Sequence, residues 1–168
     1  MRPAIILDMD EMLLHTTDAA MKRNRIQSIP RPGVTAMLNT LEHLGDLYVL
    51  SAGTSDYIPE ALRSIREITR FAGKHFSSRD NPPLARLLNL RQRRWVLVDD
   101  TPMSHSRTQH KLRLCGLRNS KAPETSHFVW IRGFEGSPSD RILPAVVPLV
   151  ALALWLQPGP QQSGRIPK

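Results

Sequence analysis

An α/β fold built on a doubly wound parallel sheet, in a single domain without a large cap, follows from three observations on this sequence. Short apolar runs alternate with stretches of helical period, three of the runs end abruptly in acidic or hydroxyl residues, and 168 residues suffice for one core but not comfortably for two. The first run, Ala4-Ile5-Ile6-Leu7, reads as a buried strand that exits into Asp8-Met9-Asp10-Glu11. Residues 15 to 30 are polar and basic and show no helical period, so a loop or small hairpin is expected beside that acidic turn.

Arg31-Pro32-Gly33 then launches Val34, Met37, Leu38, Leu41 and Leu44, one face of an amphipathic helix that Gly45 stops. Leu47-Tyr48-Val49-Leu50 is the second strand, exiting into Ser51-Ala52-Gly53-Thr54-Ser55. Ile58, Ala61, Leu62, Ile65 and Ile68 fit a helix with Pro59 in its first turn, and Pro82-Pro83 opens another that carries Leu84, Leu87 and Leu88. The third strand, Trp95-Val96-Leu97-Val98, ends in Asp99-Asp100. Phe128-Val129-Trp130-Ile131 reads as a fourth strand and Asp140 onward as a closing helix. Residues 1–156 are expected to form the domain, and the Gly/Pro/Gln-rich residues 157–168 a disordered tail.

Lys and Arg number 23 against 15 Asp and Glu, a net charge of +8 that favours anionic partners without naming one. Arg91, Arg93 and Arg94 are expected at a solvated helix-to-strand corner. Cys115 stands alone, which excludes an internal disulfide, fits a reducing compartment and makes a small packed residue the expectation there. Acidic residues arrive at position 8, before any secretory apolar stretch can form, so the chain is expected in the cytoplasm, or in the nucleus of a eukaryote. Ile142 to Leu156 is apolar but holds Pro144 and Pro148 and falls short of the ~20 residues of a spanning helix. It is expected to cover the sheet or face a partner, and a membrane is not expected as one.

In a parallel sheet, ligands bind at the carboxyl ends of the strands, so the three polar exits should converge. Asp8, Asp10, Ser51, Asp99 and Asp100 would then carry too much negative charge to stand bare, and an oxygen-only set of that kind suits Mg2+. No His or Cys is spaced for zinc, and His105 and His110 read as surface residues. A carboxylate nucleophile forming an aspartyl-phosphate needs a metal and a second acid for the leaving oxygen, roles that Asp8 and Asp10 fit. Asp8 and Asp10 alone would also fit a polar strand end with an Asx turn, and Ser51 alone a turn residue.

Leu7-Asp8-Met9-Asp10-Glu11, Arg31-Pro32-Gly33-Val34, Leu50-Ser51-Ala52-Gly53-Thr54, Val98-Asp99-Asp100-Thr101-Pro102 and Phe134 to Asp140 together carry a resemblance. The chain resembles the haloacid dehalogenase superfamily from about Ile5 to about Leu154, and within it the carboxy-terminal-domain phosphatase-like (NLI-interacting-factor-like) family of protein serine phosphatases. The resemblance implies Asp8 as nucleophile, Asp10 as general acid and then base, and Ser51 with the Ala52 loop as phosphate ligands. It implies magnesium held by Asp8, the backbone carbonyl of Asp10 and Asp100, with Asp99 as second choice for the last ligand.

Two positions depart from the family pattern. Met12 stands where Thr or Val is usual, behind the catalytic pair. Pro83 aligns with the family's phosphate-bridging lysine, leaving Lys74 or Arg86 as candidate replacements in phosphate binding. The expected function is a magnesium-dependent phosphomonoesterase acting on phosphorylated protein or peptide. A catalytically weak or inactive phosphate-binding module, and a phosphatase for polynucleotide ends or small metabolites, are the alternatives, so nucleic acid stays open as a partner.

Overall fold

A computed structural model describes residues 1–17, 26–65, 71, 74–80, 84–90, 92–102, 105–106, 108–110 and 128–157. The expectations for Pro83, Arg91, Cys115 and residues 158–168 lie outside them. The strands are β1 (Ala4–Asp8), β2 (Leu14–Thr16), β3 (Ser28–Pro30), β4 (Asp46–Ser51), β5 (His75–Ser77), β6 (Trp95–Asp99) and β7 (Phe128–Trp130). The helices are α1 (Val34–Leu44), α2 (Tyr57–Leu62), α3 (Leu84–Leu87) and α4 (Leu143–Leu156).

Five strands form one sheet in the order β5-β4-β1-β6-β7, every pair parallel. All five residues of β1 are buried, as a central strand covered on both faces requires. Ile5, Leu7, Val49, Val96 and Val98 pack on one face against α1, α2 and α4, while Ala4, Ile6, Leu50 and Leu97 pack on the other against Leu84 and Leu90. The chain runs outward from β1 through β4 to β5, then returns to the far side of β1 for β6 and β7. That reversal puts a topological switch point at the carboxyl end of β1. Register completes the convergence: Asp8 pairs with Leu50, and Leu7 with Val98, so the exits of β1, β4 and β6 lie side by side.

The segment expected as a loop or small hairpin is the antiparallel pair β2 and β3, with Thr16 opposite Ser28. Strand β5 was not expected from the sequence; its three residues join the sheet edge through pairs such as Ser51 with Ser77. Helix α4 begins at Leu143 rather than Asp140, because the Asp140 carboxylate accepts from the Ile142 N–H at 3.0 Å and Pro144 fits only the first turn.

Arg93 is not solvated. It is buried, donates to Asp46 Oδ2 at 2.7 Å and lies over the Tyr48 ring, locking the start of β4 to the approach to β6. Gln157 bonds both backbone polar groups of Trp95 and ties the end of α4 to the start of β6. Helix α4 buries Leu143, Val146, Val150, Ala153 and Leu154 and exposes Leu149, Leu152, Trp155 and Leu156. No described helix is long and apolar enough to cross a membrane.

Gly45 joins α1 to β4 where a side chain has no room: a Cβ would lie 2.6 Å from the Pro3 carbonyl oxygen and 3.2 Å from Ile5. Gly45→Ala is expected to destabilise the fold by about 1–3 kcal/mol through overpacking, read as a lower urea midpoint at unchanged m-value.

Candidate active site

The loop after β1 is held by its own alternation. Met9, Met12 and Leu13 are fully buried, while Asp8, Asp10 and Glu11 line a pocket of about 120 Å3 together with Ala52, Asp100, Thr101 and Thr108. Met12 is thus packed in the core and does not line the pocket. The Met9 carbonyl accepts from Leu13 and Leu14, and Glu11 N–H donates to the Leu14 carbonyl at 2.7 Å. Closing so tight a turn puts Glu11 at φ 60, a left-handed conformation unusual for a residue with a side chain.

Asp8, Asp99 and Asp100 each bring a carboxylate oxygen to within 4.8 Å of the others. Asp8 and Asp99 are buried, and an Asp99 oxygen accepts from the Thr101 N–H at 2.9 Å, which orients the strand exit. Asp100 is held from the β7 side by Trp130, whose indole N–H donates to the Asp100 carbonyl at 2.8 Å. A Cβ on Gly133 would approach Asp100 Oδ2 to 3.1 Å. An all-oxygen set this close, without His or Cys, fits a magnesium ion better than zinc.

Asp10 is separately fixed. Tyr57 donates to its Oδ1 at 2.5 Å and Ser51 Oγ to its Oδ2 at 3.2 Å, while Ser51 Oγ also accepts from the Gly53 N–H at 2.9 Å. Burial, and then the Asp10 carboxylate, hold the Tyr57 phenol well above its ordinary value, so it remains a neutral donor. Burial likewise raises Glu11, against the opposing pull of His15, whose Nδ1 lies 2.9 Å from both Glu11 oxygens.

The predicted residues divide into two groups. Asp8, Asp10, Ser51, Ala52, Asp99 and Asp100 come together, with Ser51 fully buried beneath the loop and Ala52 at the pocket wall. Lys74 and Arg86 do not line the pocket. Lys74 is exposed just before β5, where its carbonyl accepts from Val49, and Arg86 is exposed on α3. Sequence reasoning missed Tyr57, Thr16 and the Glu11–His15 pair. The four-residue spacing of Glu11 and His15 was available as a signal, but nothing in the pattern marks Tyr57 as facing Asp10.

Arg31, expected only as part of a helix-opening turn, is buried beneath the site. It donates to both oxygens of Asp140, at 3.1 and 2.9 Å, to the Arg132 carbonyl at 2.8 Å, and at 3.3 and 3.4 Å to the carbonyls of Glu11 and Met12. Its guanidinium lies 5.5 Å from the Phe134 ring centre.

The model of the NLI interacting factor-like phosphatase family matches residues 3–115. No curated protein matches the chain. Among solved structures, fission yeast RNA polymerase II CTD phosphatase Fcp1 bound to beryllium fluoride is 18% identical over 91% of this chain and 51% of its own, with a TM-score of 0.56. A second structure of Fcp1, described as an essential RNA polymerase II CTD phosphatase, is 18% identical over 93% and 50%, with a TM-score of 0.57. Likeness at this identity establishes the shared fold, and the chain spans about half the length of either solved chain.

Burial works against a charged Asp140, but Arg31 and the Ile142 N–H outweigh it and hold the carboxyl below the ordinary aspartate value. Its stabilisation is therefore complete above the unfolded aspartate value and is lost as pH falls through the lower folded one. Arg31→Met is expected to cost roughly 3–5 kcal/mol in urea unfolding and to remove this acid-sensitive component from the stability profile.

Proposed function

This chain belongs to the NLI interacting factor-like phosphatase family, and from that premise we propose that it is a magnesium-dependent phosphomonoesterase acting on phosphorylated serine or threonine in a protein or peptide. The observation that carries this reading is the meeting of Asp8, Asp99 and Asp100 at adjoining strand exits, with Asp10 anchored separately beside them.

In the first step an Asp8 carboxylate oxygen attacks phosphorus, the bond from phosphorus to the ester oxygen breaks, and Asp10 gives its proton to the departing alkoxide. In the second, Asp10 takes a proton from water as the water oxygen attacks phosphorus, and the bond from Asp8 to phosphorus breaks to release inorganic phosphate. Asp8, Asp100 or Asp99, and the Asp10 carbonyl would hold magnesium, which neutralises charge as one anion approaches another. Ser51 and the Ala52 loop are proposed to receive phosphoryl oxygens.

A protein substrate is supported by size. The pocket of about 120 Å3 is small beside the roughly 300–1,000 Å3 of sites that enclose a whole small molecule, so it suits a phosphoryl group whose alcohol remains outside. Both similar structures are named as RNA polymerase II CTD phosphatase, and from that name we carry over only the class, a phosphorylated protein.

One observation favours a second reading, a slow or silent phosphate-binding module: among the described residues no Lys or Arg lines the pocket, in keeping with the resemblance, which aligns Pro83 with the family lysine. Losing that cation would remove several kcal/mol of transition-state stabilisation.

Purified chain with magnesium and p-nitrophenyl phosphate separates the two. Asp8→Asn is expected to lower phosphate release by at least about 100-fold, and chelation of the metal to abolish it. Release equal in wild type and Asp8→Asn, with phosphopeptide binding retained, would favour the binding module.

A further inference from the structure

We propose that Tyr57 is the positioning residue for Asp10, holding one carboxylate oxygen as a permanent acceptor so that the proton delivered to the leaving alkoxide resides on the other. The proposal rests on the reading of Asp10 as general acid. Its basis is the direction of a hydrogen-bond chain. A phenol has one proton to donate, and the Tyr57 hydroxyl gives it to Asp10 Oδ1 at 2.5 Å. Thr16 Oγ1, 3.0 Å from the same phenol oxygen, must then be the donor in that contact, and Ser28 Oγ, at 3.2 Å, is left to donate to Thr16. The β2–β3 hairpin thus fixes the Tyr57 hydroxyl, and Tyr57 fixes Asp10. Ser51 Oγ reaches Oδ2 at 3.2 Å, so both oxygens of the carboxylate are placed.

The loop after β4 is shaped around the same ring. A Cβ on Gly53 would lie 2.3 Å from Tyr57 Cδ1, closer than any real contact, so the loop has room for this tyrosine only because residue 53 is glycine. Without the phenol, Asp10 would keep a single side-chain donor while facing the acidic side chains of Asp8, Glu11 and Asp100 across the pocket.

The test uses two leaving groups. A phosphoserine peptide loses an alkoxide that needs a proton, whereas p-nitrophenyl phosphate loses a phenolate that does not. The quantity kcat/KM reports only the steps through departure of that group, so the later hydrolysis does not enter. In Tyr57→Phe, kcat/KM for the peptide should fall about tenfold, with less than about a twofold change for p-nitrophenyl phosphate. The ratio of the two cancels any loss of folded protein. An active wild type whose ratio is unchanged by Tyr57→Phe overturns the role of Tyr57 and leaves the phosphatase reading standing. A wild type with no Asp8-dependent release overturns that reading, and the role of Tyr57 with it.

Discussion

The guanidinium of Arg31 is almost wholly shielded from water, yet it meets five acceptor oxygens from three separate stretches of chain. A buried cation is tolerable only when its charge and its donors are both answered. Asp140 answers the charge, and the carbonyls of Glu11, Met12 and Arg132 take the remaining donors. The loop that carries Asp8 and Asp10 is thereby tied to the segment after β7 and to the entry of α4. Phe134 closes the junction, since its N–H donates to the Glu11 carbonyl at 2.7 Å and its ring lies beside the guanidinium. The acidic turn is therefore positioned by contacts far from it in sequence as well as by its own backbone.

Such anchoring is needed because the carboxylates repel one another. Asp8, Asp99 and Asp100 converge because the adjoining parallel strands β1 and β6 end at the same level, and Asp10 is drawn aside by two hydroxyls. One strand exit thus supplies two aspartates in different surroundings, one buried within an acidic cluster and the other half-exposed and hydroxyl-bound. In the proposed mechanism that difference would let one act as nucleophile and its neighbour handle protons.

Much of this is legible in the amino-acid sequence. Continuous apolar runs can only be buried strands when helices alternate with them, and their polar exits mark the carboxyl edge of the sheet. What escaped depended on pairings the linear pattern does not encode. Strand β5 is three residues long, too short to show a period, and is defined by its bonds to β4. Arg93 looked like a solvated corner because its partners, Asp46 and Tyr48, lie on a strand far back in the chain. Tyr57 sits in the first turn of α2, where its hydroxyl looks like an ordinary surface group until the hairpin and the acidic loop are folded against it. Lys74 and Arg86 are candidates through proximity in sequence to Pro83, but Lys74 precedes β5 and Arg86 lies on α3, and neither reaches the pocket wall.

Glu11, in its left-handed turn, has a consequence for selection. A glycine would relieve roughly 1 kcal/mol of backbone strain at that position and stabilise the fold. It would also strip from the pocket a carboxylate that His15 grips through both oxygens. A search for thermostable variants would therefore be drawn to Glu11→Gly, and the gain in melting temperature would come with an altered electrostatic rim around the acidic cluster. Position 11 is where an easier backbone and the charge of the pocket rim are in direct opposition in this chain.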